Sequence, residues 1–245
     1  MMYCFFGDLS GFQNIVRNLP LDQQEARINQ WIELVESAAR RCEIINVKLI
    51  SDSIVATTGE TPAELEKLIK FSRILLEEGL RLKLPLCGAI SQGEVKWTEH
   101  IVFGKAVIDA YQLASNQNWL GISFQYAFKI PTALYKIDNI IVYPTPLKKG
   151  LIGLAPVVCW EIPSTELLMK STLGDGLTRP DEFMEWHYAD KIHNTAIFSL
   201  YLKAIKKIEK ETEERIDVSK FHGMSPLMIV ENVLNSSKLE ITKPS

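Results

Sequence analysis

Two aspartates, Asp8 and Asp52, each sit in an apolar strand-like run that ends in a tight turn. The first run reads Met1-Met2-Tyr3-Cys4-Phe5-Phe6-Gly7-Asp8-Leu9-Ser10-Gly11-Phe12. The second reads Val47-Lys48-Leu49-Ile50-Ser51-Asp52-Ser53-Ile54-Val55-Ala56-Thr57-Thr58-Gly59. A carboxylate inside an otherwise apolar strand is costly unless something neutralises it. Two that converge are costlier still, unless a divalent cation lies between them. The pair therefore points to a Mg²⁺ or Mn²⁺ site of the kind that serves phosphate chemistry. The plainer readings are a helix cap for Asp8 and a hairpin turn for Asp52. The backbone N–H groups of Leu9, Ser10, Gly11 and Phe12 fall at a helix N-terminus, where they are expected to cradle phosphate oxygens. Gly11 permits close approach there.

The elements that must position these residues follow from apolar periodicity and turn chemistry. Residues 2–7 read as a buried strand, with a short helix after Gly11 and a longer one over Leu21–Arg41 carrying Ile28, Trp31, Ile32 and Val35 on one face. Arg40 and Arg41 close that helix, where cations suit its dipole and are also candidates for phosphate. Segment 45–57 reads as a hairpin turning at Ser51-Asp52-Ser53. Thr61, Pro62 and Glu64 make a capping box ahead of Leu65, Leu68, Ile69, Ser72 and Leu76, and Gly79 lies near the end of that helix. Residues 84–91 form a strand that Gln92-Gly93 turns into a second hairpin over 94–98. After Gly104 a helix runs to about Asn118 and packs Ala106, Ala110 and Leu113. Strands recur at 139–143 and 156–161. This order fits an α+β fold with a ferredoxin-like βαββαβ core, a mixed sheet with helices on one face. Near Ser164 the composition changes. Residues 1–164 are read as the main α+β domain and 165–245 as a helical C-terminal extension, with helices over 164–172, 180–212 and Ser225–Leu234 and a disordered Lys-Pro-Ser tail.

Bulk properties exclude several classes. The chain has 245 residues, 47% of them hydrophobic, and a formal net charge of −3. That charge gives no reason to expect a nucleic-acid or membrane-surface partner. No apolar run approaches the ~20 residues that span a bilayer, and the N-terminus lacks the basic start of a signal peptide. Cys4, Cys42, Cys87 and Cys159 lack metal-ligand spacing and read as reduced core residues, so a cytoplasmic location is expected.

Four segments, in order and spacing, resemble the class III nucleotidyl cyclases over roughly residues 1–165. Phe6-Gly7-Asp8-Leu9-Ser10-Gly11-Phe12 is similar to the first metal motif, and Lys48–Gly59 to the hairpin that carries the second metal aspartate. Cys87-Gly88-Ala89-Ile90-Ser91-Gln92-Gly93-Glu94-Val95 resembles the later G-x-x-x-G-x-V hairpin, and Phe103–Leu113 the helix after it. The resemblance implies two ions per active site, Mn²⁺ or Mg²⁺, a metal set of Asp8, Leu9 and Asp52 with the two aspartates catalytic, and a homodimer with shared active sites.

The departures carry information too. Ile108 and Gln112 stand where the family has a transition-state Asn and Arg, and Ile101 stands where purine cyclases have an adenine-selecting Asp. Lys48, the partner of that Asp, is kept. Metal-binding residues retained beside altered purine-reading residues resemble the pyrimidine cyclases of bacterial Pycsar anti-phage systems. So do Ala110-Tyr111-Gln112-Leu113, Asn116–Gly121 and Lys148-Lys149-Gly150 ahead of Val157–Glu161. The expected nucleotide-binding residues are Ser10, Gly11, Phe12, Lys48, Ile101, Tyr111, Gln112 and Lys149, with Lys148 and Lys149 reaching the triphosphate from the partner subunit. The favoured substrate is UTP, with CTP as the alternative. A catalytically inactive nucleotide-sensing module is a second reading, motivated by Ile108 and Gln112. A polymerase-like palm lacks a basic template groove.

Overall fold

The first strand is apolar along nearly its whole length because both of its faces are covered. In β1 (Met2–Leu9), Tyr3, Phe5 and Leu9 enter one hydrophobic cluster while Cys4 and Phe6 enter another. Such two-sided burial reads in sequence as a continuous apolar run rather than an alternation. The computed structural model describes residues 1–125, 129–135, 138–149, 152–161, 186–212 and 226–236.

After β1 come α1 (Phe12–Asn18), α2 (Leu21–Cys42), β2 (Asn46–Ile50), β3 (Ser53–Thr58), α3 (Pro62–Arg81) and β4 (Leu86–Gly93). A two-stranded ribbon, β5 (Lys96–Trp97) and β6 (Val102–Phe103), leads into α4 (Lys105–Asn116). Then follow β7 (Ile122–Phe124), β8 (Ile140–Pro146), β9 (Ile152–Val158), α5 (Trp186–Thr212) and α6 (Pro226–Ser236). The main sheet has the order β2-β3-β1-β4-β7-β9-β8. Its first four strands pair antiparallel throughout, which is the βαββαβ ferredoxin-like arrangement. Then β7 joins β4 in parallel, and β9 and β8 extend the sheet antiparallel.

The helices do not share one face. Trp31, Val35, Leu65 and Leu68 of α2 and α3 pack on Phe5 and Ile54, whereas Ala106, Ala110 and Ala114 of α4 pack on Phe6, Val55 and Ala89. Phe5 and Phe6 are consecutive on a strand, so the two groups lie on opposite faces. The small alanines let α4 lie close against the sheet.

Local signals decide the rest. The Thr61 side chain accepts the Glu64 N–H at 3.3 Å and Pro62 opens α3, as the capping pattern requires. The second hairpin differs from expectation. Gly93 stays in β4 opposite Met2, and the turn forms later, where the Thr98 N–H donates to the Ile101 carbonyl at 2.9 Å. Helix α4 stops at Asn116, because Gln117 is extended and buries its side-chain amide against the Gly88 carbonyl at 2.6 Å. The short β7 carries no periodic signal of its own. The expected helix over 164–172 and the C-terminal tail lie outside the described residues. All four cysteines are buried and free.

Gly79 lies inside α3, near its end at Arg81. A Cβ there would come within 2.7 Å of the Leu84 carbonyl oxygen, in the chain that returns toward β4. Helix propensity alone says that Gly79→Ala adds about 1 kcal/mol. The opposite sign is expected, a loss of about 1–3 kcal/mol from forced backbone displacement. Urea unfolding of the two proteins checks it; a higher midpoint for Gly79→Ala would show that the loop yields freely.

Candidate active site

Asp8 is the penultimate residue of β1 and pairs with Ser53 on one side and Cys87 on the other. By alternation it shares the α4 face with Cys4 and Phe6. It is half-buried, and the Ser53 hydroxyl donates to its Oδ1 at 2.7 Å, which fixes the carboxylate. Asp52 sits in the two-residue turn between the paired Ile50 and Ser53. Ser51 takes a φ of 59° to make that turn. The turn is tied to β1 by the Leu9 N–H, which donates to the Asp52 carbonyl at 3.2 Å. Adjacent strands thus bring the two aspartates to one end of the sheet.

Electrostatics mark the same place. Burial raises the Asp8 carboxyl above its ordinary value, and the neighbouring Asp52 charge raises it further. The Ser53 hydrogen bond and the charges of Lys191 and Lys148 oppose this, but the net direction is upward. A carboxylate under strain from burial and from a like charge is the environment a divalent cation relieves. Two carboxylates are a hard oxygen donor set that suits Mg²⁺ or Mn²⁺. Among the described residues, no group of three or more His, Cys, Asp or Glu forms a rival metal site.

The expected phosphate cradle is narrower than residues 9–12. The Leu9 N–H is taken by Asp52, and the Ser10 N–H donates to the Pro85 carbonyl at 2.8 Å. The N–H groups of Gly11 and Phe12 remain from that set, and Gly11 holds φ at 90°, a conformation glycine adopts without penalty. The Phe12 ring packs against the core, so only its backbone faces this role.

Lys48 and Ile101 do come together, at the β5–β6 turn. The Lys48 ammonium donates to the carbonyls of Thr98 at 3.1 Å and Glu99 at 2.8 Å and lies over the Trp97 ring. The Ile101 N–H donates to Thr98 Oγ1 at 3.0 Å while its side chain is 55% exposed. On α4, Tyr111 is half-exposed with its ring edge-on to Phe6, and Gln112 and Ile108 are exposed. Lys148 and Lys149 are exposed before β9, and the charge of Lys148 acts on Asp8 of its own chain. Arg40 and Arg41 are instead committed to ion pairs, with Glu36 at 3.6 Å and Glu78 at 2.6 Å.

Two participants carried no sequence signal. Ser53 looks like any turn serine until the register sets it opposite Asp8. Lys191 is one of many lysines in a Lys- and Glu-rich helix, yet its ammonium lies 3.3 Å from the Ser10 hydroxyl and 3.3 Å from the Cys87 thiol.

The fold matches solved structures. One is the catalytic core of a rhodopsin–guanylyl cyclase with converted specificity, in complex with ATPαS: TM-score 0.53, 17% identity, 64% of this chain and 95% of that one. The chain has a nucleotidyl cyclase fold. A non-canonical dimeric guanylyl cyclase domain of a rhodopsin–guanylyl cyclase fusion protein from the aquatic fungus Blastocladiella emersonii matches at TM-score 0.52 and 16% identity, over 64% and 94% of the two chains. A bacterial light-regulated adenylyl cyclase matches at TM-score 0.51 and 14% identity, over 70% of this chain and 56% of that one. No protein-family model matches the sequence, and no curated protein matches it. No helix among the described residues is long and apolar enough to cross a membrane.

Proposed function

We propose that the protein is a pyrimidine nucleotide cyclase that converts UTP to 3′,5′-cyclic UMP and pyrophosphate, as the signal generator of an anti-phage defence system. The observation that carries the cyclase reading is the meeting of Asp8 and Asp52 at adjacent strand ends within a cyclase fold. The reaction is attack of the ribose 3′-hydroxyl on the α-phosphorus with loss of pyrophosphate. Asp8, Leu9 and Asp52 would hold Mn²⁺ or Mg²⁺, which when bound lowers the hydroxyl pKa and neutralises triphosphate charge. Ser53 keeps the Asp8 carboxylate in one orientation. The Gly11 and Phe12 N–H groups meet phosphate oxygens.

Exposed Ile101, Phe103, Ile108 and Tyr111 sit on α4 and the β5–β6 ribbon, on the side of the sheet that bears Asp8. Such a patch supports a homodimer in which Tyr111, Gln112 and Lys149 of one subunit complete the site of the other. Ile101, in place of a carboxylate, removes a partner for a purine amino group and fills space. Lys48 matches the carbonyl edge of uracil, although cytosine O2 offers an acceptor as well, so cyclic CMP is the alternative product. Residues 1–164 would be the catalytic domain and 165–245 its helical extension, in a cytoplasmic protein.

Incubation with each of the four ribonucleoside triphosphates and Mn²⁺, with products resolved by mass, tests this. A single cyclic pyrimidine product is expected. A cyclic purine product would overturn the base assignment. Nucleotide binding with no product from any triphosphate would make the protein a nucleotide sensor, the reading that Ile108 and Gln112 favour.

A further inference from the structure

Among the described residues, the β5–β6 ribbon stands outside the main sheet, and its two strands pair with each other alone. Two short strands by themselves are marginal in water, so the ribbon needs outside anchors. Trp97 and Val102 supply one by packing on the cluster beneath α4. Lys48 supplies another. It belongs to β2, the strand at one edge of the main sheet, and its ammonium donates to the Thr98 carbonyl at 3.1 Å and the Glu99 carbonyl at 2.8 Å. The same nitrogen lies 5.5 Å from the centroid of the Trp97 ring, within cation–π range. The turn that Lys48 grips is closed on itself by Thr98. The Thr98 N–H donates to the Ile101 carbonyl at 2.9 Å, and Thr98 Oγ1 accepts the Ile101 N–H at 3.0 Å. Ile101 therefore rides on a closed turn, its side chain exposed, and the Lys48 bridge ties that turn to β2.

We propose that Lys48 is a positioning residue that sets base selectivity by holding the β5–β6 turn, and Ile101 with it, in one place against β2. The proposal rests on the nucleotide-cyclase reading above. An ammonium has three hydrogens to donate. Two go to the turn carbonyls, which leaves one for a single acceptor on a base, such as a uracil carbonyl. Hydrogen bonds from a charged donor are stronger than those between neutral groups, so the grip is firm for its size. Without it the ribbon keeps its packing at Trp97 and Val102 alone, and Ile101 moves with the turn. A side chain that rejects a larger base by occupying space does so only while it is held there.

Lys48→Met and Lys48→Arg are to be compared with the wild type in two assays, with thermal unfolding as the check on folding. One is amide hydrogen exchange of the substrate-free protein; the other is kcat and KM for each of the four ribonucleoside triphosphates with Mn²⁺. Lys48→Met is expected to speed exchange at Thr98 and Ile101 by about tenfold while β1 and β4 keep their protection. It is also expected to reduce the preference among bases by about tenfold, with KM rather than kcat carrying the change, and Lys48→Arg to recover part of both effects. Unchanged exchange in a folded Lys48→Met protein would overturn the proposal, and a loss of base preference without faster exchange would make Lys48 a direct base contact alone. Faster exchange with the base preference intact would overturn the selectivity role. A wild type that makes no cyclic nucleotide, but whose turn exchanges faster on Lys48→Met, would sustain the hold on the turn while removing the cyclase reading. Should Lys48→Met not fold, Lys48→Gln keeps a donor without the charge and is read in the same way.

Discussion

Asp8→Asn is expected to lower turnover by about a thousandfold and, without added metal, to make the protein more stable. The two effects have one cause. Asp8 is a half-buried carboxylate beside Asp52, and its carboxyl is raised above its ordinary value first by burial and then by that charge. A folded state that raises an acid's pKa binds more protons than the unfolded chain between the two values. Stability from this group is therefore greatest at low pH and falls as pH rises from the ordinary 3.8 through the raised value. Above that window the full cost of the ionised form is carried. Asparagine keeps an oxygen to accept the Ser53 hydroxyl bond and has no charge to desolvate. The metal-free variant should thus lack this loss on going from about pH 4 to about pH 8 and melt higher at neutral pH. Mn²⁺ should close the gap by stabilising the wild type alone, and more so at higher pH, since binding displaces a proton. Thermal unfolding with and without Mn²⁺, over that pH range, makes the measurement. Equal stabilisation of both proteins by Mn²⁺, or near-normal turnover in the variant, would remove Asp8 from the metal site.

This opposition between stability and activity explains why the candidate site stands out in the sequence. A carboxylate retained in a run as apolar as Tyr3-Cys4-Phe5-Phe6-Gly7-Asp8-Leu9 stands out because burial penalises it. Asp52 stood out as a charge in the turn between two apolar strands, and the strands, the turn at Ser51-Asp52 and the capped start of α3 followed from equally strong local chemistry. What stayed hidden depended on non-local geometry. The opposite-face position of α4 follows from the parity of Phe5 and Phe6 against their partners, which a list of elements does not encode. The later turn of the second hairpin is decided by Thr98 and Ile101 rather than by the glycine at 93. The use of the Leu9 and Ser10 N–H groups by Asp52 and Pro85 is a tertiary fact, as is the pairing of Arg40 and Arg41 with carboxylates. Lys191 is the strongest case: 181 residues separate it from Ser10, and no pattern around it differs from that of a solvated helix face.

Phe198→Ala is expected to cost about 3–5 kcal/mol of folding stability. The ring is fully buried, with centroids 4.9 Å from Trp119, 5.0 Å from Tyr143 and 6.4 Å from Trp160. Deleting it leaves a cavity among side chains too large and too well packed to collapse into it, and removes edge-to-face contacts worth about 0.5–1.5 kcal/mol each. Trp119 is held from below, its indole donating to Gln117 Oε1 at 2.6 Å while Gln117 donates to the Gly88 carbonyl at 2.6 Å. That chain of contacts joins α5 to the centre of β4, so the loss propagates to the sheet that carries the aspartates. Phe198→Leu retains most of the volume and should cost less than half as much. Urea unfolding of the three proteins gives the comparison directly, and a loss below about 1 kcal/mol for Phe198→Ala would mean that α5 only rests on the main sheet. The site should respond as well. At a temperature where the Phe198→Ala protein is still folded, a shifted α5 carries Lys191 away from the Ser10 turn that follows Asp8, and turnover should fall. If turnover stays at the wild-type level while stability falls by the full amount, the packing of α5 and the chemistry at Asp8 are independent.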